Sequence, residues 1–257
     1  MSDDLRTRLR EQFGRAPIEY SISPSHSDPI MLQRMSTMLE LTSSDCALDI
    51  ATGSGHTALQ LAQNFSQVVA FDVTPEMLRE TRANALAKAK EHVRPVLGDA
   101  VSLPFSDGAF NVVTCRIAPH HFPNLDATLK ETARVLCPGG KFYVLDCSAP
   151  DDPEALAFID EIEKLRDPSH VALYPPQRWL KSLAAVALKV KNIKLLPRRY
   201  DLFSWLDRAR TTERARHLIF RKIARRAPRV AEFFRADLDG PQPYLQSYFV
   251  EIVAVKE

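Results

Sequence analysis

The chain has 257 residues, of which 45% are hydrophobic, and this suffices for one large α/β domain or two small ones. No apolar run approaches the ~18 residues of a transmembrane helix, and the charged N-terminus lacks a signal-peptide core, so we expect a cytoplasmic protein. The net charge is +2, yet residues 198–229 hold eleven Lys or Arg against three acidic residues. The cysteines form no CxxC pair, which favours reduced, buried thiols over disulfides or a metal site.

The N-terminal region predicts two helices separated by a proline-rich segment. Leu5, Leu9 and Phe13 recur at intervals of four and predict an amphipathic helix over 3–13. Glycine and prolines interrupt 14–29, and we expect this segment to lie over another part of the molecule. A second helix is predicted over 30–41.

Strands and helices then alternate as far as residue 148. The predicted elements are strands at 46–51, 68–73, 93–100, 110–118 and 139–148, and helices at 56–65, 74–91 and 125–136. This alternation is typical of parallel βαβ units. The strands are short, continuous apolar runs, as expected for a sheet that is covered on both faces.

The pattern changes beyond residue 150. The predicted elements are helices at 153–166 and 176–188, a strand at 190–200, a mostly helical basic region at 202–235 and a last strand at 244–256. No internal repeat, low-complexity tract or long linker interrupts them. A single domain with helical additions is therefore the simplest account.

Glycines stand at the ends of predicted strands, where a ligand can approach the backbone closely. Gly53 and Gly55 lie in the first strand-to-helix turn, and Gly98 ends the third strand. In open parallel sheets, ligands bind beyond the carboxyl ends of the strands. The turn also satisfies the dinucleotide pattern G-x-G-x-x-G/A, and Asp72 at the tip of the second strand is placed to bind a ribose diol. These two features alone also fit a nicotinamide or flavin cofactor.

Acidic residues beside the turn favour a cationic ligand. Asp49 stands at the exit of the first strand, where it would repel a pyrophosphate and attract the sulfonium and ammonium groups of S-adenosylmethionine. At the end of the third strand, Asp99 can accept a hydrogen bond from an adenine amine, and the Ala100 N–H can donate to the ring.

Four segments follow one another with consistent spacing: LDIATGSGHTA (48–58), VVAFDVTPEML (68–78), VLGDAVSLPFSDGAFNVVTCRIAPHHF (96–122) and ARVLCPGGKFYVLD (133–146). In these segments the chain resembles the class I S-adenosylmethionine-dependent methyltransferases, and more narrowly the branch similar to ubiquinone- and menaquinone-biosynthesis methyltransferases. Ala51 stands where the family usually has its first loop glycine. The resemblance implies a Rossmann-like, doubly wound α/β fold, with a mostly parallel seven-stranded sheet, an antiparallel last strand and helical additions.

The resemblance also implies a division of the single domain over 1–257. Residues 1–44 would form a helical lid segment, 45–150 the cofactor-binding core, and 151–257 the substrate-side helices and the last two strands. The cofactor would be S-adenosylmethionine, with S-adenosylhomocysteine as product. Its expected contacts are Asp49, Ala51, Thr52, Gly53 and Gly55 at the methionine end, Asp72 and Val73 at the ribose, Asp99 and Ala100 at adenine, and Arg116 and Ile117 beside the sulfonium.

Methyl transfer depends mainly on proximity and alignment, and a base is needed only if the acceptor holds a proton at neutral pH. His120 and His121, just past the fourth strand, are candidate bases. The candidate acceptor-binding residues are Tyr20 and His26 on the proline-rich segment and His170 and Tyr174 further along.

We expect a small-molecule acceptor and a monomer or homodimer. The basic stretch 198–229 is most simply a solvated helical region, and an acidic small substrate, an anionic membrane surface and RNA are the alternatives. No RNA-binding motif accompanies it, so no specific nucleic acid is expected. Two other functions stay open, namely an RNA or protein methyltransferase that uses these arginines and, less favoured, a nicotinamide-binding oxidoreductase.

Overall fold

The structure is a computed structural model that describes residues 3–14, 24–41 and 44–257. Its helices are α1 (Asp3–Gly14), α2 (Pro24–Ser27), α3 (Pro29–Met38), α4 (His56–Leu61), α5 (Pro75–Ala87), α6 (Leu125–Val135), α7 (Pro153–Arg166), α8 (Pro176–Ala184), α9 (Leu202–Arg208), α10 (Glu213–Ala224) and α11 (Pro228–Phe233). Its strands are β1 (Ser44–Ile50), β2 (Phe65–Asp72), β3 (Val93–Leu97), β4 (Phe110–Arg116), β5 (Leu136–Ser148), β6 (Leu188–Asp201), β7 (Ala236–Asp237) and β8 (Tyr244–Lys256). Within these ranges no helix is both long and apolar enough to span a membrane.

The strands form one sheet in the order β3-β2-β1-β4-β5-β8-β6, and the two-residue β7 pairs with β8. The strands β1 to β5 pair in parallel, whereas β8 runs antiparallel to both β5 and β6. The predicted α/β fold, with a parallel sheet and an antiparallel last strand, is confirmed. The short β7 is an additional eighth strand that the sequence analysis did not anticipate.

Both faces of the sheet are covered, as the continuous apolar strands predict. Leu48 and Ile50 belong to a core cluster on one face, and Ala47 and Val68 belong to a cluster on the other. Burying one such large aliphatic side chain contributes about 1.5–3 kcal/mol. A third cluster, around Trp205, packs α7, α9, α10 and α11 against β8.

The register of the parallel strands brings their carboxyl ends to one edge. Ile50 of β1 pairs with Phe71 of β2 and with Cys115 of β4. Asp72 pairs with Leu97, and Arg116 pairs with Leu145. The loops that follow β1, β2, β3 and β4 therefore meet at the same edge of the sheet.

The basic stretch spans the end of β6 and the helices α9, α10 and α11. Several of its cations pair with carboxylates: Arg216 with Asp207 at 2.5 Å, Lys222 with Glu161 at 2.7 Å, and Arg229 with Asp152 at 2.8 Å. Ile219 and Ile223 of α10 are fully buried in the third cluster. The helix is thus packed on the domain by its apolar face, with part of its charge neutralised.

Candidate cofactor and active site

The loop after β1 is shaped by a left-handed backbone at three positions. Ala51, Gly53 and Gly55 have φ angles of 54°, 56° and 88°, a region that residues other than glycine rarely adopt. A Cβ on Gly55 would lie 2.8 Å from Cγ2 of Thr81, so only glycine fits there. The Thr81 hydroxyl donates to the carbonyl oxygen of Gly53 at 2.7 Å, which holds the loop against α5.

A cavity, which we call the first cavity, opens above this loop. It is lined by Leu9, Phe13, His26, Met77, Thr128 and residues 51–54, 56–57, 71–74, 98–101, 116–118 and 121–123. Among the predicted cofactor contacts, Asp49 and Gly55 are the ones outside this lining. Four strand ends and two N-terminal helices therefore converge on one space.

Asp72 ends β2 with a carboxylate that is anchored by the backbone. Its Oδ2 accepts a hydrogen bond from Gly53 N at 2.9 Å, and its Oδ1 accepts one from Thr74 N at 2.9 Å. Burial raises the pKa of Asp72, although these N–H donors oppose the shift. Because a carboxylate offers about four lone-pair sites, Asp72 can still accept hydrogen bonds from hydroxyls in the first cavity.

Asp49 lies beneath the first cavity and not in its wall. It is still part of β1, paired with Ala70 and Thr114, so its side chain stands on the sheet and not beyond the strand end. Its carboxylate accepts hydrogen bonds from the hydroxyls of Thr52 at 2.6 Å and Thr114 at 2.8 Å. Burial raises the pKa of Asp49 to about 6. Asp49 therefore supports the loop through Thr52, and its predicted contact with the cofactor stays a prediction.

The loop after β3 closes the opposite wall of the first cavity. Gly98 N donates to the carbonyl oxygen of Asp72 at 2.9 Å, which ties this loop to the end of β2. Asp99 accepts a hydrogen bond from Val101 N at 3.2 Å, and Ala100 lies between them in the lining. A side chain at Gly98 would collide with the ring of Phe71, 2.5 Å away.

At the end of β4, Arg116 and Ile117 both face the first cavity. Ile117 has a left-handed φ of 53°, and its N–H donates to Leu145 O at 2.7 Å. A β-branched residue in this conformation is strained, a condition that occurs preferentially at functional sites. The turn directs the chain into the 3₁₀ helix Pro119–His121, which carries the two candidate bases.

The N-terminal helices cover the cavity from the other side. Phe13 of α1 and His26 of α2 are in its lining, and the edge of the Phe13 ring meets His121 at a centroid distance of 5.1 Å. Desolvation and the nearby charge of Arg116 lower the pKa of His26 to about 3. Tyr20, the other candidate acceptor-binding residue on the proline-rich segment, lies outside the described residues.

A second cavity adjoins the first on the side of α7 and β6. The two cavities share Phe13, His26, Ile117 and His121. The rest of the second lining is His120, Cys147, Glu163, Arg166, Asp167, Tyr200, Trp205, Arg208, Ser247 and Phe249. Aromatic, acidic and basic side chains therefore surround this second space.

His120 is held by Asp146 through two hydrogen bonds. Its Nδ1 lies 2.6 Å from Asp146 Oδ1, and its backbone N–H donates to Oδ2 at 2.8 Å. Burial lowers the pKa of His120 and raises that of Asp146 to about 8, because the charged form of each group is desolvated there. The sequence analysis missed Asp146. An acidic residue within the apolar run of a buried strand was the available signal.

His121 lies where the two cavities meet, and its orientation is set by Ser169. Its Nδ1 lies 3.0 Å from the carbonyl oxygen of Ser169, and the Ser169 hydroxyl donates to Asp167 at 2.6 Å. A carbonyl oxygen can only accept, so Nδ1 carries the proton and Nε2 carries a lone pair. Burial, followed by the effect of His120, lowers the pKa of His121 to about 3.

His170 and Tyr174, predicted to line the acceptor pocket, line neither cavity. His170 Nε2 lies 2.9 Å from Asp160 Oδ1, and its ring stacks on that of His120 at a centroid distance of 5.5 Å. The Tyr174 hydroxyl donates to Phe122 O at 3.1 Å. His170 therefore packs on the His120 ring, and Tyr174 is bonded to the backbone of Phe122.

The profile of the family described as "Methyltransferase domain" matches residues 48–144. The uncharacterized methyltransferase YcgJ of Bacillus subtilis is 39% identical over 166 residues, which are 64% of this chain and 65% of YcgJ. The crystal structure of YcgJ superposes with a TM-score of 0.85 at 31% identity, over 88% of this chain and 97% of that chain. The chain belongs to the S-adenosylmethionine-dependent methyltransferases.

Other relatives of this methyltransferase match shorter stretches or share only the fold. The demethylmenaquinone methyltransferase of Thermus thermophilus is 42% identical over 105 residues, which are 40% of this chain and 47% of that protein. Geranyl diphosphate C-methyltransferase from Streptomyces coelicolor A3(2), solved with Mg²⁺, geranyl diphosphate and S-adenosyl-L-homocysteine, has a TM-score of 0.62 at 14% identity, over 89% of this chain and 78% of that chain. By sequence, this methyltransferase thus aligns to about half of the demethylmenaquinone enzyme and to less than two thirds of YcgJ.

S-adenosylmethionine is the cofactor of this methyltransferase, and the first cavity has the groups that such a ligand requires. A Cβ on Gly53 would meet nothing within 4 Å, so the loop leaves open space for a ligand. Two buried nitrogens of Arg116, Nε and Nη2, have no hydrogen-bond partner within the described ranges. The ligand has a ribose diol, whose hydroxyls can donate to Asp72, and a carboxylate, which can accept from donors such as those of Arg116.

Proposed function

We propose that the enzyme methylates a small molecule that binds in the second cavity, using S-adenosylmethionine that binds in the first. The observation that carries this proposal is the shared boundary of the two cavities, at which His121 and Ile117 face both spaces. A donor and an acceptor on either side of that boundary would be in contact, and proximity and orientation are the main contribution that a protein makes to methyl transfer.

In the first cavity, the chain's own groups match the parts of the cofactor. Asp72, anchored by Gly53 N and Thr74 N, would accept hydrogen bonds from the two ribose hydroxyls. The wall formed by 98–101 would contact the adenine ring. Bound S-adenosylmethionine supplies an electrophilic methyl group on its sulfonium.

In the second cavity, His121 is placed to take a proton from the acceptor. Its Nδ1–H is committed to Ser169 O, so Nε2 is the ring nitrogen with a free lone pair. Burial lowers the pKa of His121 to about 3, so the ring is neutral and Nε2 holds a lone pair, while the same burial makes it a weaker base than a free imidazole. An acceptor with a hydroxyl or another weakly acidic group suits this arrangement.

The enclosure of the second cavity favours a small molecule over a macromolecule. His120, Glu163 and Asp167, which line it, are each less than a tenth exposed. The basic stretch, which a nucleic acid would need as an exposed surface, is neutralised in part, because Arg216, Lys222 and Arg229 pair with carboxylates.

Methyl transfer to separated classes of acceptor tests this proposal. The enzyme is incubated with S-adenosylmethionine labelled in its methyl group and with three fractions of a cell extract, namely RNA, protein and molecules below about 1 kDa. We expect label in the low-mass fraction, and none when His121→Asn replaces the wild-type enzyme. Label that accumulates in RNA or protein would contradict the proposal.

A further inference from the structure

Arg116 is a buried cation with most of its hydrogen-bonding capacity unused. It is 7% exposed, and its Nη1 donates to the Thr57 hydroxyl at 3.1 Å. Its Nε and Nη2 are also buried, and neither has a partner among residues 3–14, 24–41 and 44–257. Leaving two donors of a charged group without partners in the interior is unfavourable, so such an arrangement points to a bound anion.

Nearby carboxylates do not fill this role. Asp49 and Asp28 stabilise the charge of Arg116 from a distance, but no carboxylate oxygen of the described residues lies within hydrogen-bond distance of its Nε or Nη2. Burial lowers the pKa of Arg116, which reflects the incomplete compensation of its charge. The guanidinium donates to Thr57 through Nη1, and Arg116 lies in the lining of the first cavity.

Arg34 shows what that edge binds elsewhere in the same molecule. Its Nε and Nη2 donate to the two carboxylate oxygens of the fully buried Glu251 at 2.9 Å and 2.7 Å. These are the same two nitrogens that lack partners in Arg116. Side-by-side donation from this edge is a strong, geometrically specific way to hold a carboxylate.

We propose that the Nε–Nη2 edge of Arg116 binds the α-carboxylate of the methionine part of S-adenosylmethionine. Arg116 lines the first cavity but not the second, so its anion belongs to the occupant of the first. That occupant carries a sulfonium and an ammonium, which a lone arginine would repel, and its carboxylate is its one anionic group. This inference rests on the proposed assignment of the first cavity to the cofactor.

The test compares two ligands that differ at the methionine end. S-adenosylhomocysteine has the carboxylate, whereas 5′-methylthioadenosine keeps the adenosine and lacks the amino acid. We expect Arg116→Met to raise the Kd of S-adenosylhomocysteine by about 10- to 100-fold, the usual range for a lost charge-assisted pair, and to leave the Kd of methylthioadenosine within twofold. Arg116→Lys should fall between, because an ammonium cannot bind the carboxylate through two parallel donors. Calorimetry measures all of these values.

Asp72→Ala is the matched control, since both ligands carry the ribose and both should bind more weakly. Suppose that Asp72→Ala weakens the binding of both ligands, while Arg116→Met leaves both Kd values unchanged or raises both by the same factor. The inference is then overturned and the proposed function stands. An unchanged affinity for S-adenosylhomocysteine with a raised KM for the acceptor would also overturn it, because the anion would then belong to the acceptor. If neither variant changes the Kd of either ligand, the cofactor does not bind in the first cavity as proposed, and the inference fails too.

Thermal unfolding separates loss of binding from loss of fold. Arg116→Met removes an uncompensated buried charge, so we expect the Tm of the ligand-free protein to be unchanged or raised. Arg34→Met leaves Glu251 buried without its cation and should lower the Tm. A large fall in Tm for Arg116→Met would show that the guanidinium is already compensated in the free protein and would overturn the inference.

Discussion

The two cavities differ in whether backbone groups or side chains form their walls. The floor of the first is mostly backbone, with left-handed residues at the end of β1 and N–H groups bound to Asp72. The second is formed by side chains that come from α7, β6, α9 and β8 as well as from His120 and His121. The difference suggests that the first space is specialised for a ligand of constant chemistry, whereas the second can change its specificity by substitution without disturbing the loops.

The largest expected effect separates catalysis from cofactor binding. His121→Asn keeps a side-chain N–H near the position of Nδ1, which can still donate to Ser169 O, and removes Nε2. We expect kcat to fall about 10²- to 10⁴-fold, the range for loss of a general base, while the Kd of S-adenosylhomocysteine stays within a few-fold. His170→Gln is the matched control, because it preserves an N–H toward Asp160 outside both cavities. A His121→Asn enzyme with normal kcat would remove the base from the mechanism.

Asp72→Ala should act only on the first cavity. Loss of a charged acceptor for the ribose hydroxyls should weaken S-adenosylmethionine binding about tenfold or more, since such a hydrogen bond contributes about 1.5–3 kcal/mol. The KM for the acceptor, measured at saturating cofactor, should change little. Unchanged cofactor affinity in a calorimetric titration would exclude Asp72 from the site.

The buried histidine at the boundary makes folding stability depend on pH. The pKa of His121 is about 3 in the folded protein and about 6.5 when unfolded, so below pH 6.5 the unfolded chain binds the proton preferentially. Its stabilising contribution is present above pH 6.5 and is lost as the pH falls toward 3. Between pH 6.5 and 5.5, the wild type should lose about 1 kcal/mol more free energy of unfolding than His121→Asn. If urea denaturation shows the same change in the free energy of unfolding between pH 6.5 and 5.5 for both proteins, this prediction is wrong.

The smallest effect concerns the backbone of the first cavity. Ala51 has a left-handed φ of 54°, which costs an alanine about 1–2 kcal/mol, whereas glycine there loses about 0.5–1 kcal/mol more conformational entropy on folding. Ala51→Gly should therefore raise the free energy of unfolding by up to about 1 kcal/mol and leave methyl transfer unchanged. A destabilised Ala51→Gly protein, measured by urea denaturation, would show that the Cβ of Ala51 makes a contact that outweighs the strain.

Much of the fold was predictable because its signals are local. The strand β8 and the helix α7 lie where their apolar patterns predicted them, over 244–256 and 153–166. The helix α4 ends earlier than predicted, since Phe65 is already the first residue of β2. Thr74 precedes Pro75 as expected of an N-cap, but its hydroxyl makes no capping bond, and its N–H donates to Asp72.

The site was predictable to a different degree in its two parts. The first cavity collects residues that directly follow strands, so periodicity and glycine placement located Gly53, Asp72 and Ala100. Asp49 was expected to contact the cofactor, whereas the structure places it outside the lining of the first cavity, bound to Thr52 and Thr114. His170 was given to the acceptor although Asp160 holds it outside both cavities, a contact that no local pattern indicates.

The sequence alone allowed three deductions: the order of the strands and helices, the family, and the edge of the sheet that carries the cofactor loops. These properties depend on residues that are close together along the chain. The tertiary structure decided which histidine meets which carboxylate. It also decided that one edge of Arg116 has no partner within the described residues. Burial and pairing bring together groups far apart in sequence, as with Arg34 and Glu251, and their energies depend on removing water from all of them at once.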